Sequence, residues 1–243
     1  MIQIENIVKS FGRIQALKGV TAHIPAVRTS ALVGHNGSVK TTLMKCLLGL
    51  VRPDSGQILL QGQPLTGAPA QRLRIGYMPQ LPRYPDNLSV AEVLELIAGV
   101  RAAATRDTDL SSMGGFDSTP LFDLNALGAR KLRGLSGGTL QRVGAELAWR
   151  TQAPLLVLDE PTAGLDPLAS SRLKDRLLLD RQAGRTVLIS SHVLADLQEL
   201  ADHIIFLLEG RVCYTGSLQD LLERTGESRL ERAVASLMRA VTA

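Results

Sequence analysis

The sequence is poor in the residues and patterns that define several classes of protein. Its 243 residues include two cysteines, too few for a disulfide scaffold or a cysteine-rich metal site, and the apolar surroundings of Cys46 and Cys213 predict two core residues. No apolar run approaches the roughly 20 residues that a membrane-spanning helix needs, and the amino terminus lacks the charged start and apolar core of a signal peptide. We therefore expect the chain to stay in the cytoplasm.

Aromatic residues and concentrated charge are also scarce. Phe, Trp and Tyr make up 3% of the chain, and the net charge of +4 comes from basic residues that are dispersed along it. Because there is neither an arginine-rich run nor an aromatic stacking motif, nucleic acid is not expected as the main ligand. A modest positive charge does suit a protein that works beside an anionic membrane surface.

What the sequence does contain is the alternation of strands and helices typical of a parallel α/β fold. Hydrophobic residues at 45% and charged residues at 21% fit a globular protein with a substantial core. Strand signals vanish between about 81 and 149, which predicts a helical lobe inserted in the core, and residues 105–120 have no readable pattern. We predict strands at 2–8, 21–24, 29–33, 57–60, 75–78, 155–159, 186–190 and 204–208, and helices at about 40–50, 90–101, from 136 onward, 168–182 and 193–200.

A carboxyl-terminal tail is expected over residues 217–243, after a main domain of residues 1–216. It contains a predicted helix whose apolar face either packs on its own domain or contacts a second copy of the chain. That face carries Leu230, Val234, Leu237, Met238 and Val241.

Two motifs in the second half of the sequence point to phosphate chemistry. The serine-glycine motif, Leu135-Ser136-Gly137-Gly138, opens a predicted helix, where free amide groups and the helix dipole favour an anion. Further on, an apolar strand ends in Asp159 and Glu160. The first carboxylate suits a hydrated magnesium ion and the second suits a water molecule, as phosphoryl-transfer sites require. The pair of motifs indicates nucleotide hydrolysis.

A phosphate loop at residues 34–42 carries one unusual residue. The pattern G-x-x-x-x-G-K-[ST] brings backbone amides, a lysine and a magnesium-binding hydroxyl to phosphates. Here Val39 replaces its second glycine, ahead of Lys40 and Thr41. If the position needs glycine-only backbone angles, strain of about 1–3 kcal/mol would weaken ATP binding by about 5- to 150-fold. A side-chain clash with the phosphate is the other possibility.

Together these motifs resemble those of the ATP-binding subunits of ABC transporters. The likeness runs from about residue 2 to about residue 216, and the motifs stand in the family's order. It implies a P-loop NTPase core with a mostly parallel sheet, an antiparallel β part and an inserted helical lobe, which binds ATP and Mg²⁺. The matching positions are Phe11, the phosphate loop, Gln80, Ser136, Gly138, Asp159, Glu160, Asp166 and His192.

The resemblance also implies a role for each matching residue. Glu160 would act as general base, His192 would hold the base and the γ-phosphate in register, and Gln80 would sense the γ-phosphate and magnesium. Phe11 would stack on adenine, although an aromatic near a strand end is usually a core residue. Magnesium would be held by Thr41, Gln80 and Asp159, and the nucleotide by Phe11, Asn36, Gly37, Ser38, Lys40, Thr41, Thr42, Ser136, Gly138 and Asp166.

The family's architecture further implies partners. The serine-glycine motif faces the phosphate loop of a second subunit, so we expect a homodimer with ATP between its subunits. A separate integral-membrane permease would hold it on the cytoplasmic face of the membrane. The layout looks most like the motors of two-component exporters, and more faintly like the ATPase that assists maturation of nitrous-oxide reductase.

Two alternatives to a transporter ATPase stay open. In the first alternative, Val39 defines a degenerate domain that binds nucleotide weakly or not at all and serves as a regulatory or assembly subunit. A soluble ABC protein of DNA repair or translation is the other alternative.

Thr139 stands where the family often has glutamine. We expect a modest effect on anion binding, because Ser136 and the amides at the helix start provide most of the anion contacts.

Overall fold

A computed structural model describes three stretches of the chain, residues 1–34, 38–105 and 116–242. In this part of the chain no helix combines the length and the apolar character needed to cross a membrane. The chain divides into two compact units, each of which is described by itself. The first unit comprises Met1–Ala68 and Thr186–Ala243, and the second comprises Pro69–Arg185.

Strands and helices alternate along the described residues. The strands are β1 (Ile2–Phe11), β2 (Ile14–Ile24), β3 (Thr29–Gly34), β4 (Ser55–Leu60), β5 (Gln63–Pro64), β6 (Ile75–Met78), β7 (Leu155–Asp159), β8 (Thr186–Ser190), β9 (His203–Leu208) and β10 (Arg211–Ser217). The helices are α1 (Ser38–Leu47), α2 (Pro69–Arg72), α3 (Val90–Thr105), α4 (Gly137–Arg150), α5 (Pro167–Gln182), α6 (Leu194–Leu200), α7 (Leu218–Thr225) and α8 (Leu230–Thr242).

The first unit opens with an antiparallel sheet in the order β2-β1-β4-β5. On β1, the side chains of Ile2, Ile4 and Ile7 are buried. Asn6 lies between them in a left-handed conformation with φ of 50°, and the pairing of β1 with β2 shifts register at this point. The local bulge keeps the apolar side chains on the buried face although their spacing changes from two residues to three.

The rest of the first unit surrounds β3. This strand pairs in parallel with β8 and β9, and β10 pairs antiparallel with β9. β3 is buried from Thr29 to Val33 and β8 throughout, as expected for strands covered on both faces. At the carboxyl-terminal side, α8 packs against α6 and α7 and buries Leu230, Ala233 and Val234. Packing of the tail on its own domain is thus confirmed for these residues.

The second unit is built on the parallel pair β6 and β7, in register from Ile75 with Leu155 to Met78 with Leu158. α4 packs against both β6 and α3. The buried carboxylate of Asp180 on α5 accepts hydrogen bonds from the indole of Trp149 at 2.7 Å and the guanidinium of Arg185 at 2.9 Å. These bonds satisfy polar groups that would be costly to bury alone.

The predicted α/β alternation is confirmed, with several differences. β2 begins at Ile14 rather than at residue 21, and α7 was not predicted. A late strand at Cys213 was expected without bounds, and the structure has β10 there. Cys46 is buried, and burial raises its pKa to about 11, but Cys213 is only half-buried, so its assignment to the core was wrong. The second unit also holds β6, β7 and α5, and a separate lobe over residues 81–149 stays a prediction.

Candidate nucleotide-binding and catalytic site

The phosphate loop belongs to the first unit, between β3 and α1. Asn36 and Gly37 lie outside the described residues, and of Ser38 only the helical backbone is described. Gly34 ends β3 at a position where a Cβ atom would come within 2.4 Å of the Leu207 carbonyl oxygen on β9. The first glycine of the loop is therefore required by its own sheet, whatever ligand the loop binds.

Lys40 lies in the first turn of α1, and its side chain turns back to the loop. Its ammonium donates a hydrogen bond to the carbonyl of Gly34 at 2.7 Å, and the residue is 7% exposed. Thr41 is half-buried and Thr42 is buried on the same helix. A cation and two hydroxyl-bearing residues thus stand at the amino-terminal end of α1, where free amides also favour an anion.

Val39 is the second residue of α1, and its backbone is helical. The helical region is open to every L-amino acid, so the first of the two possibilities, a need for glycine-only angles, does not apply in this conformation. The side chain is half-buried. The second possibility, that the bulk of the isopropyl group crowds a bound phosphate, remains.

Two further candidates of the first unit, Phe11 and His192, are exposed. Phe11 ends β1 with 49% of its surface accessible, so the core alternative for this aromatic was wrong. The ammonium of Lys9 lies 5.6 Å from its ring centroid. His192 follows β8 and precedes α6, also exposed. Both rings are accessible to a ligand.

In the second unit, β7 delivers the two predicted carboxylates. Asp159 is its last residue, 2% exposed, and Glu160 follows with a left-handed backbone at φ of 51°. The carbonyl of Glu160 accepts a hydrogen bond from the amide of Ala163 at 3.1 Å. Burial, followed by the charge of Asp159, raises the pKa of Tyr77 on the paired strand β6 to about 12. The side chain of Asp159 thus lies where little solvent reaches it.

The serine-glycine motif forms the start of α4, as predicted. Ser136 is the N-cap, exposed, and its hydroxyl accepts the amide of Thr139 at 3.3 Å. The hydroxyl of Thr139 also lies 2.8 Å from that of Ser136. Sequence reasoning did not foresee this contact, through which the residue that departs from the family pattern touches the predicted anion-binding serine directly.

The two glycines of the motif have different surroundings. A Cβ atom on Gly138 would lie 2.5 Å from the carbonyl oxygen of Gly164, whereas one on Gly137 would meet nothing within 4 Å. Gly138 is therefore needed for the close approach of α4 to the loop that follows β7. Gly137 has no such packing reason, and it lies at the exposed helix end where an anion would bind.

Two further residues of α4, which were not predicted from the sequence, also bind the segments around α4. The Gln141 amide donates to the carbonyl oxygens of Gln80, at 3.2 Å, and Glu160, at 3.3 Å. Arg142 forms an ion pair with Asp166, whose carboxylate also caps α5 by accepting the Ala169 amide at 2.9 Å. These bonds lower the pKa of Asp166, and the bond from the Ala169 amide has the largest effect.

The predicted site residues are thus found in two groups. The first unit brings Lys40 to Gly34 and also carries Thr41, Phe11 and His192. The second unit brings together, around the first two turns of α4, the predicted residues Gln80, Ser136, Gly138, Glu160 and Asp166, with Asp159 next to Glu160 in sequence.

Comparison with known proteins agrees with this geometry. A family profile described as ABC transporter matches residues 17–163. An uncharacterised ABC transporter ATP-binding protein of Nostoc is 37% identical over 215 residues, which cover 86% of this chain. The chain spans about three-fifths of the length of that relative and of a similar protein of Synechocystis.

A shorter relative and a solved structure extend the likeness to nearly whole chains. The lantibiotic transport ATP-binding protein SrtF of Streptococcus pyogenes is 33% identical over 217 residues, covering 87% of this chain and 89% of SrtF. A solved ATP-binding subunit of an ABC transporter superposes with a TM-score of 0.85 at 28% identity, covering 98% of this chain and 99% of that one. The mixed α/β fold is that of ABC ATPase cassettes.

Proposed function

This chain belongs to the ABC transporter family, and we propose that it is an ATP-binding subunit that hydrolyses ATP to power transport through a separate membrane permease. Its relatives include proteins named as ATP-binding components of transporters, which supports the nucleotide and the membrane partner. In this proposal the chain is peripheral, on the cytoplasmic face of the membrane.

Nucleotide binding is assigned to five of the predicted site residues. Lys40 neutralises the β- and γ-phosphate oxygens, Thr42 contacts phosphate from the helix start, and Phe11 stacks on adenine. The hydroxyl of Thr41 and the carboxylate of Asp159 are the hard oxygen ligands that Mg²⁺ prefers, and the bound ion would neutralise charge on the phosphate oxygens. Asp159 is buried, and a bound cation would stabilise a carboxylate in such a position.

Hydrolysis is assigned to Glu160, His192 and Gln80. Glu160 accepts a proton from the attacking water, His192 keeps this base and the γ-phosphate in register, and Gln80 responds to the γ-phosphate. Ser136 and Gly138 present the start of α4 to the ATP of a second copy. Binding then closes a homodimer around two nucleotides, and hydrolysis opens it.

The observation that carries this proposal is the way in which the second unit holds Glu160. Its left-handed backbone costs roughly 1 kcal/mol or more, and such residues persist where the surroundings fix them. Here the carbonyl of Glu160 receives two donors, the amide of Ala163 and the side chain of Gln141. A carboxylate held in this way directly after a buried Asp159 fits the demands on a general base.

Replacing Glu160 by glutamine tests the proposal. The substitution keeps the shape of the side chain and removes the base, so we expect ATP to bind and the dimer to accumulate. Gel filtration with light scattering, in ATP and Mg²⁺, would show an ATP-dependent dimer for E160Q and mostly monomer for wild type. A K40A/E160Q double variant should stay monomeric, and a monomeric E160Q that binds ATP would count against the sandwich dimer.

A second candidate is favoured by one observation, the half-buried valine in the first turn of α1. If its side chain prevents productive binding of ATP, the chain acts as a regulatory or assembly subunit of a transporter. Steady-state release of phosphate by the wild-type protein separates the two candidates. Turnover that disappears in E160Q supports the motor, and no turnover at saturating ATP supports the second candidate.

A further inference from the structure

Gln141 joins three functional segments of the second unit through one side chain. It lies on α4, five residues after Ser136, and is only 4% exposed. Its amide nitrogen donates to the carbonyl of Gln80 at 3.2 Å and to that of Glu160 at 3.3 Å. Those acceptors are 61 and 19 residues away in sequence. The start of α4 is therefore tied to the nucleotide sensor and to the base.

Both donor hydrogens of the Gln141 amide are used in this bridge. An amide nitrogen has two hydrogens, so two carbonyl acceptors satisfy it fully. Its oxygen, by contrast, has no hydrogen-bond partner among the described residues. Among these residues the Gln141 side chain therefore acts through its two donated bonds, whose geometry depends on the position of α4.

The bond to Glu160 acts on a backbone that would otherwise relax. A glutamate with φ of 51° is in a conformation that non-glycine residues seldom adopt. Surrounding contacts hold the backbone of such a residue in place, and the backbone in turn sets the direction of its side chain. Without the donor from Gln141, the carbonyl of Glu160 loses one of the hydrogen bonds that hold it, while the local bond from Ala163 remains. The direction of the catalytic carboxylate would then be less well defined.

We propose that Gln141 is a positioning residue, which sets the backbone of Glu160 and of Gln80 relative to the start of α4. The inference rests on the proposed function of those residues and adds a part that their motifs do not contain. Because one amide spans both carbonyls, a displacement of α4 acts on base and sensor together. In this proposal Gln141 acts through the two carbonyl groups that it binds.

Two substitutions at this position test the role. Q141M keeps the length of the side chain and removes both donors, and Q141E keeps its shape and places acceptors opposite two carbonyl oxygens. We expect kcat to fall about tenfold or more in Q141M, because small misplacement of a catalytic group has effects of that size. The dissociation constant for ATP should stay within about twofold, because Lys40 and its loop are untouched.

The glutamate variant adds a readout that a merely structural role would not produce. Burial raises the pKa of a carboxyl group, and only its protonated form can donate to a carbonyl. The activity of Q141E relative to wild type should therefore rise as the pH falls from about 8 to about 6. Q182M, the same chemical change on the exposed end of α5, is the matched control and should behave as wild type.

Amide hydrogen exchange makes the test independent of turnover. Peptides covering residues 79–82 and 160–166 should exchange faster in Q141M than in Q182M, with no change in peptides from α1. If wild type hydrolyses no ATP, the proposed function fails, and exchange alone decides whether Gln141 holds the two segments. An unchanged kcat with unchanged exchange overturns the proposal. So does a joint loss of kcat, ATP affinity and melting temperature with no pH dependence in Q141E.

Discussion

Replacing Val39 by alanine and by glycine separates two ways in which valine could weaken ATP binding. The residue is helical in α1, so alanine fits its backbone without strain and removes two methyl groups. Glycine removes the same bulk and adds backbone freedom, which costs a helix up to about 1 kcal/mol relative to alanine. The two variants therefore differ in backbone conformation and hardly in the space they leave.

The structure sets the order of affinities that we expect. Overpacking typically costs about 1–3 kcal/mol, so relief of crowding by V39A should lower the dissociation constant for ATP about 5- to 150-fold. V39G should bind ATP no more tightly than V39A, because it loses some of that gain to disorder in the first turn. A requirement for glycine-only angles would give the reverse order.

Isothermal titration with ATP and Mg²⁺ measures these constants, and V39T is the matched control. Threonine is branched like valine and nearly the same size, so it should bind ATP like wild type. If V39A binds ATP no more tightly than V39T, valine does not crowd the ligand. If V39G alone improves binding, the nucleotide-bound loop needs glycine angles, and the reasoning from the helical backbone is refuted.

Two further predictions concern single side chains at opposite ends of the proposed site. F11A should weaken ATP binding by about 1–3 kcal/mol, the range for stacking of a base on an aromatic ring, with little change in melting temperature. The exposed residue Ile14, which pairs with Phe11, provides the control I14A. Equal binding of ATP by F11A and wild type in the same titration would exclude stacking. G138A should lower the melting temperature in calorimetry because its Cβ meets Gly164. G137A should leave folding intact and, combined with E160Q, abolish the ATP-dependent dimer in gel filtration, and the opposite pattern would contradict the roles of the two glycines.

How well the fold could be predicted depended on the strength of each local pattern. β3, β7 and β8 are short apolar runs bounded by turn residues, and they were predicted within a residue. β10, by contrast, mixes exposed and half-buried residues, with Cys213 among them, and carries no clear alternation. It is defined by pairing with β9, a tertiary interaction that local sequence does not encode.

The same distinction applies to the candidate site. Ser136, Asp159 and Glu160 could be predicted from the sequence because they lie at a helix start and at a strand end, where the backbone geometry favours ligand binding. The bridge from Gln141 depends on the approach of α4 to two distant loops, and no spacing in the sequence indicates it. The bonds between Thr139 and Ser136 lie within one turn. They could have been anticipated, since a hydroxyl three residues after an N-cap serine is within reach of it.

The contacts that tie α4 to the loop after β7 differ in kind, and their burial determines which of them matters most. Arg142 and Asp166 are both partly exposed, and ion pairs of that type contribute about 0–1 kcal/mol and weaken with salt. Gly138 permits a close approach without adding an attraction of its own. The bond from Gln141 to Glu160 is neutral and buried, so salt does not screen it and solvent cannot easily replace it. The link between the start of α4 and Glu160 therefore depends mainly on this neutral amide, and it should persist at ionic strengths that disrupt the ion pair.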